Sequence, residues 1–201
     1  LGTVNTQIRF ATACRQAGAK MISSGGFLTM LEEGRGEIRK LIDKTDIFFV
    51  NEEEALGIFG SIEEASTDPG KLLFITRGES GAIVVQGGSK TELQAIPAKV
   101  LDPTGAGDTF CGAVLAHLLR GEHPVMAARN AMALASEEIK HVGPTALLFD
   151  RHPPEVPLDS RVRINERQVR RLSKLIKEIP EAEPFNFVSD YYPPVDHPAA
   201  L

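Results

Sequence analysis

The stretch DIFFVNEEEALGIFG, residues 46–60, decides the fold class of this chain. Its first five residues form a run with no room for a polar face, which is typical of a short strand covered on both sides. The acid-rich residues that follow predict a short helix ending at Gly60. A strand that is buried on both faces and followed directly by a helix indicates a parallel sheet with helices on both sides.

The same alternation of helices and apolar strands extends in both directions from this stretch. Upstream, the pattern predicts helices at 4–17 and about 32–44, with a buried strand at 19–24 between them. Downstream, it predicts a strand in LLFITRG, paired strands in GAIVVQGG and KTELQAI, and two helices in GDTFCGAVLAHLLRG and PVMAARNAMALASEEIKH. We therefore expect an α/β fold with a mostly parallel sheet and an antiparallel edge near residues 81–96.

Composition narrows the class of partner. The chain has 201 residues and a formal net charge of −5 with interspersed signs, unlike the basic surface of a nucleic-acid-binding protein. No run approaches the roughly 20 apolar residues of a membrane span. Cys14 and Cys111 are far apart and lack the spacing of metal ligands, which favours reduced thiols in a cytoplasmic protein. A small molecule is therefore the expected partner, with no role for nucleic acid or membrane.

The composition changes after about residue 149. Residues 150–164 are rich in proline and are typical of a linker. The apolar positions from residue 165 onward share one helical stripe, which indicates a helical extension or the start of a further domain. We expect three segments, at 1–149, 150–164 and 165–201. The chain begins with Leu1 rather than Met, and we expect it to be part of a longer protein.

Residues 100–119, VLDPTGAGDTFCGAVLAHLL, place a glycine turn directly before an apolar helical run. The first N–H groups of a helix lack intrahelical partners, and together with the helix dipole they attract an anion. Gly105, Ala106 and Gly107 supply this turn, and phosphate is the obvious ligand. Asp108, in the first turn, has two interpretations that stay open: it accepts the proton of an attacking hydroxyl, or it caps the helix.

The segment DPTGAGDTFCGAVLAHLL resembles the C-terminal signature of the PfkB or ribokinase family of ATP-dependent sugar and nucleoside kinases. The resemblance implies that Asp108 is the catalytic base, with Gly105, Ala106 and Gly107 as the anion hole for the γ-phosphate. It also implies a monovalent cation, K⁺, at Asp102, and HVGP resembles the loop that helps to hold that cation. A turn aspartate ahead of proline is the alternative for Asp102.

Three further segments resemble motifs of the same family, and the first two precede the glycine turn in the family's order. VNEEEA resembles the NxxE motif, which implies Asn51 near the phosphates and Glu54 holding Mg²⁺ through water. A helix cap followed by acids is the alternative there. ITRGESGA implies that Thr76 and Gly78 contact ATP. ARNAMALAS implies that Asn130 lines the adenine pocket.

The resemblance covers residues 4–148 and only the C-terminal portion of the family. It implies a ribokinase-like three-layer α/β/α fold from which the N-terminal strands, the lid and the sugar-binding motif are missing. It also implies ATP-dependent transfer of a phosphoryl group to a hydroxyl of a sugar or nucleoside, with Mg²⁺, in a protein that pairs as a homodimer. The fragment alone is expected to be inactive.

Two other functions stay open. One is a nucleotide-binding module that has lost catalysis, although the intact Asn51, Glu54 and Asp108 favour an enzyme. The other is a fusion in which this chain is the nucleoside kinase half. RVRINERQVRRLSKLI, at 161–176, is faintly similar to the start of queuosine-salvage hydrolases. An extension that packs on the kinase is the alternative for this tail.

Overall fold

The computed structural model describes residues 3–143 of the chain. The helices are α1 (Val4–Gln16), α2 (Arg35–Lys44), α3 (Glu52–Phe59), α4 (Ala106–Leu119) and α5 (Pro124–Glu138). The strands are β1 (Ser23–Gly25), β2 (Ile47–Asn51), β3 (Leu72–Thr76), β4 (Ala82–Gln86) and β5 (Ser89–Leu93). The predicted linker and the predicted helical segment lie outside the described residues. In the part of the chain described, no helix has both the length and the apolar character needed to cross a membrane.

The five strands form one sheet in which spatial order follows chain order. β1, β2 and β3 are parallel to one another, whereas β4 and β5 are each antiparallel to the strand before. The predicted α/β sheet with an antiparallel edge is therefore confirmed. The carboxyl ends of the parallel strands β1, β2 and β3 all lie at one edge of the sheet, which is not the antiparallel edge formed by β4 and β5. The segments that follow these three strands therefore meet at this carboxyl-end edge.

Helices cover both faces of the sheet and enclose two separate cores. Alternate residues of β2 show this arrangement, since Phe48 and Val50 pack with α1, α2 and α3. Ile47 and Phe49 pack on the opposite face with α4 and α5. All four side chains are buried, which explains why this strand has no polar face. The three layers are those expected from the sequence.

Two elements differ from the expectation. The strand expected at 19–24 is the shorter β1, which starts only at Ser23; just before it, the Ile22 N–H donates to the Asp46 carboxylate at 2.7 Å. The helix expected from about residue 32 is also interrupted. A 3₁₀ turn over Leu28–Glu33 ends at Gly34, where φ is +92°, and α2 begins only after this glycine.

Candidate active site

The carboxyl ends of β2 and β3 bring three of the predicted residues to one edge of the sheet. Asn51 ends β2, Thr76 ends β3, and the two are paired in register. The Thr76 hydroxyl donates to the Val50 carbonyl at 3.4 Å. Gly78 begins a 3₁₀ turn just after β3 and has a φ of +54°. In open α/β sheets this edge is where ligands bind.

Asn51 and Glu54 form a reciprocal cap at the start of α3. The Asn51 side-chain oxygen accepts the Glu54 N–H at 2.8 Å, and Glu54 Oε2 accepts the Asn51 N–H at 2.8 Å. Glu54 is only 7% exposed. This burial raises the pKa of its carboxyl, while the hydrogen bond from Asn51 acts in the opposite direction and neighbouring Glu53 raises it further. The structure shows the capping role, and the role toward Mg²⁺ stays a prediction.

The start of α4 has the geometry of an anion site. Gly105 is the N-cap with φ +86°, and no side chain of the described residues makes a capping hydrogen bond there. Within residues 3–143, the N–H groups of Gly107 and Asp108 have no hydrogen-bond acceptor. The Asp108 side chain is exposed and caps nothing, so the capping interpretation of this residue does not describe the structure. The first turn of α4 therefore carries two N–H groups and a carboxylate that have no hydrogen-bond partner among the described residues.

An aromatic cluster fixes the start of α4 against the sheet. Phe110 is 3% exposed, and its ring centroid lies 6.4 Å from that of Phe49 and 6.3 Å from that of Phe74, edge to face in both pairs. Phe49 and Phe74 stack on each other at 5.2 Å. They precede Asn51 and Thr76 by two residues each. The glycine turn is therefore held over the same edge of the sheet.

Cys111 lies in the first turns of α4, three residues after Asp108. The pKa of its thiol is raised to about 12, chiefly by burial, with smaller contributions from the negative charges of Asp108 and Glu54. The thiol itself stays protonated near neutral pH and is a poor nucleophile.

Asp102 joins the two loops that flank α4 and α5. Its Oδ1 accepts the N–H of Thr104, and its Oδ2 accepts the N–H of Gly143, both at 2.9 Å. A hydrogen bond from the Thr104 side chain lowers the pKa of the Asp102 carboxyl most, and the two backbone hydrogen bonds lower it further. The turn role and the contact with the HVGP loop are therefore visible, while the role toward K⁺ stays a prediction.

Asn130 has a different environment from the other predicted residues. Its side-chain amide donates to Glu122 Oε2 at 3.0 Å, and Glu122 Oε1 lies 2.7 Å from His117 Nδ1. Glu122 follows the C-terminal end of α4, whereas the glycine turn precedes its N-terminal end. The helix has 14 residues and is about 21 Å long. The described contacts thus tie Asn130 to the α4–α5 connection, and its adenine-pocket role stays a prediction.

Two further residues lie at the carboxyl-end edge of the sheet and were not predicted from the sequence. Gly26 follows β1 and has the Glu54 carboxyl directly beside it. Arg77, between Thr76 and Gly78, pairs with Glu92 at 3.2 Å and with Glu52 at 3.5 Å. The pair of glycines where β1 ends, Gly25 and Gly26, is the sequence signal that could have indicated Gly26. Nothing local pointed to Arg77, since its partners are far away in the sequence.

The conformation of Gly105 leads to a stability prediction. Gly105→Ala forces a side chain into the left-handed region and is expected to lower the free energy of unfolding by about 1–2 kcal/mol. Gly112→Ala is the matched control, because Gly112 lies inside α4 with open space around it, and it is expected to raise that free energy by up to about 1 kcal/mol. Urea unfolding followed by circular dichroism measures both. A Gly105→Ala protein as stable as wild type would contradict the prediction.

Comparison with known proteins identifies relatives of this arrangement. The cytidine kinase of Thermococcus kodakarensis is 37% identical over 118 residues, which are 54% of this chain and 42% of that protein. The ribokinase of Bacillus subtilis is 32% identical over 108 residues, which are 52% of this chain and 36% of that protein. The chain therefore spans less than half the length of these relatives.

Solved structures show the same fold. A nucleoside kinase from Burkholderia thailandensis in complex with inosine superposes with a TM-score of 0.53 and 29% identity, over 62% of this chain and 41% of that one. A protein from E. coli provisionally assigned as ribokinase II, in complex with ATP and Mg²⁺, gives 0.54 and 26%, over 67% and 46%. The ribokinase-like fold expected from the sequence is confirmed. The model for the pfkB family carbohydrate kinase matches residues 6–150, most of the chain, and the chain belongs to this family.

Proposed function

We propose that this chain carries the ATP site and the catalytic base of a kinase that phosphorylates a hydroxyl of a sugar or a related small molecule. One observation carries the proposal: the free carboxylate of Asp108 lies beside the N–H groups of Gly107 and Asp108, which have no acceptor within residues 3–143. Family membership supports it, because the relatives are named as sugar and nucleoside kinases. The chain spans less than half of those relatives, so the proposal concerns the whole protein.

In this proposal each group at the start of α4 has a role. The N–H groups of the turn formed by Gly105, Ala106 and Gly107 receive the γ-phosphoryl group and stabilise the charge on its oxygens. Asp108 takes the proton of the acceptor hydroxyl while that oxygen bonds to phosphorus and the bond to the ADP oxygen breaks. The products are ADP and the phosphorylated acceptor. Catalysis comes chiefly from positioning and from charge stabilisation.

The residues at this edge fit Mg²⁺ bound together with a nucleotide. Among residues 3–143 there is no group of three or more His, Cys, Asp or Glu side chains that could hold a metal ion alone. Mg²⁺ in phosphate sites is held by one or two carboxylates, water and the phosphates themselves. Glu54 suits this role because Oε2 is held by the Asn51 N–H while Oε1 accepts no hydrogen bond from the described residues. When bound, the ion neutralises charge on the phosphates.

The nucleotide lies along the same edge in this proposal. Asn51 contacts the phosphates, and Thr76 and Gly78 contact the rest of the nucleotide. Support comes from the register that pairs Asn51 with Thr76 and from the open turn at Gly78, where a side chain would meet nothing within 4 Å. A bound nucleotide has room to approach this backbone closely.

The test is a phosphorylation assay on the full-length protein. ATP, Mg²⁺ and a panel of sugars and nucleosides, cytidine and ribose among them, are incubated with the protein, and ADP formation is followed. We expect one acceptor class to give ADP well above the rate without acceptor. ATP binding without product from any acceptor would contradict the enzyme and favour the binding module.

A further inference from the structure

Gly26 is in unusually close contact with the proposed metal-binding carboxylate. Its N–H donates to the Phe49 carbonyl at 2.7 Å, which fixes the backbone beside β2. A Cβ atom at this position would lie 2.7 Å from Glu54 Cδ and 3.2 Å from Val50 Cγ1. The first distance is shorter than real Cβ contacts permit, so a side chain here cannot coexist with Glu54 in its present place.

Space, and not backbone conformation, requires glycine at position 26. Gly26 is not among the glycines with positive φ, so its backbone would accept alanine without strain. Gly25 offers a direct comparison, because a Cβ there would lie 3.5 Å from the Phe49 carbonyl oxygen, an ordinary contact. The crowding is therefore specific to position 26, where it is severe against the side chain of Glu54 and milder against Val50 Cγ1.

We propose that Gly26 is a positioning residue: its missing side chain leaves the space in which the Glu54 carboxyl lies, and so fixes the orientation of the carboxylate toward the metal and nucleotide. The inference rests on the proposed function, since the orientation of Glu54 affects catalysis only if Mg²⁺ and ATP bind there. It adds the residue that directly follows β1 to a site otherwise built from the ends of β2 and β3 and the start of α4.

The expected consequence of Gly26→Ala is local. The crowded atoms are the far end of a flexible side chain, so Glu54 moves away while the sheet stays in place. The movement removes the hydrogen bond between the Asn51 N–H and Glu54 Oε2. Two properties then change together: the affinity for Mg²⁺ in the presence of ATP, and the protection of the Asn51 amide from hydrogen exchange.

The experiment compares Gly26→Ala with Gly25→Ala in the full-length protein. At fixed ATP, the Mg²⁺ concentration for half-maximal activity is expected to rise roughly tenfold in Gly26→Ala and to stay at the wild-type value in Gly25→Ala. Hydrogen exchange measured by NMR gives a readout that does not depend on activity. The Asn51 amide is expected to exchange at least about tenfold faster in Gly26→Ala, because its N–H loses the hydrogen bond to Glu54 Oε2, and to exchange at the wild-type rate in Gly25→Ala.

A double variant separates positioning from general damage. On a Glu54→Ala background the crowded carboxyl is gone and the milder contact with Val50 Cγ1 remains, so adding Gly26→Ala is expected to raise the Mg²⁺ requirement no further, whatever its effect on the thermal midpoint. The inference is overturned if Gly26→Ala still raises the Mg²⁺ requirement on that background, or if Gly25→Ala and Gly26→Ala act equally. If wild type transfers no phosphate, the proposed function fails, and Asn51 exchange still decides whether Gly26 positions Glu54.

Discussion

Asp108→Asn is expected to lower kcat for phosphotransfer by about 10²–10⁴-fold, the usual contribution of a general base, with little change in ATP binding. Asparagine has nearly the same shape but cannot take the proton of the acceptor hydroxyl. Asp108 is exposed and makes no capping hydrogen bond, so the substitution leaves the fold intact. Steady-state ADP formation measures kcat, and calorimetric titration with ATP measures binding.

Asp68→Asn is the matched control for this prediction. Asp68 precedes β3 at the opposite edge of the sheet, is 68% exposed and pairs with Lys71 at 3.5 Å. The same change of charge there is expected to leave kcat at its wild-type value. Retention of wild-type kcat by Asp108→Asn would remove Asp108 from the chemical step. Equal losses in both variants would point to the overall charge instead of the site.

Phe110→Ala is expected to lower the free energy of unfolding by about 3–5 kcal/mol, the range for deleting a large buried aromatic side chain. The Phe110 ring is 3% exposed and lies edge to face against both Phe49 and Phe74. Its removal leaves a cavity between α4 and the sheet. The glycine turn also loses its support, so we expect KM for ATP to rise in the same variant.

Phe10→Ala supplies the comparison, because the Phe10 side chain on α1 is 43% exposed. We expect this variant to lose less than about 1 kcal/mol, as is usual for substitutions near the surface. Urea unfolding followed by circular dichroism gives both values, and kinetic assays give KM. The role of the aromatic cluster would be refuted by a Phe110→Ala protein that is as stable as Phe10→Ala.

Local sequence patterns predicted most of the fold. β2 has no polar face because Phe48 packs in the core on one side of the sheet and Phe49 in the core on the other. The burial of this strand could therefore be predicted from adjacent residues alone. The strand expected at 19–24 starts only at Ser23, next to a contact between residues far apart in the sequence. The backbone of Ile22 is bound by the side chain of Asp46, 24 residues away, and no local pattern reveals that contact.

In the candidate site, too, the local features were predicted from the sequence and the non-local contact was not. The turn at Gly105 and the carboxylate at Asp108 lie within four residues of each other, and the sequence predicted the start of a helix there. Glu54 as a helix cap was also local, since its partner Asn51 is three residues away. The close contact between Gly26 and Glu54 forms only when β1 lies beside β2, so local sequence patterns could not predict it.

The helices α3 and α4 begin at the same edge of the sheet, but their first turns differ in how the N–H groups are satisfied. The Asn51 side chain caps the start of α3, whereas no side chain in the described part of the chain caps the start of α4. In the proposed kinase the transferred phosphoryl group would serve as a removable cap for α4. Substrate binding and the folding of this first turn would then be thermodynamically linked, and saturating nucleotide would stabilise the protein by mass action. The protein would be most stable when occupied, and its first turn would loosen as product leaves.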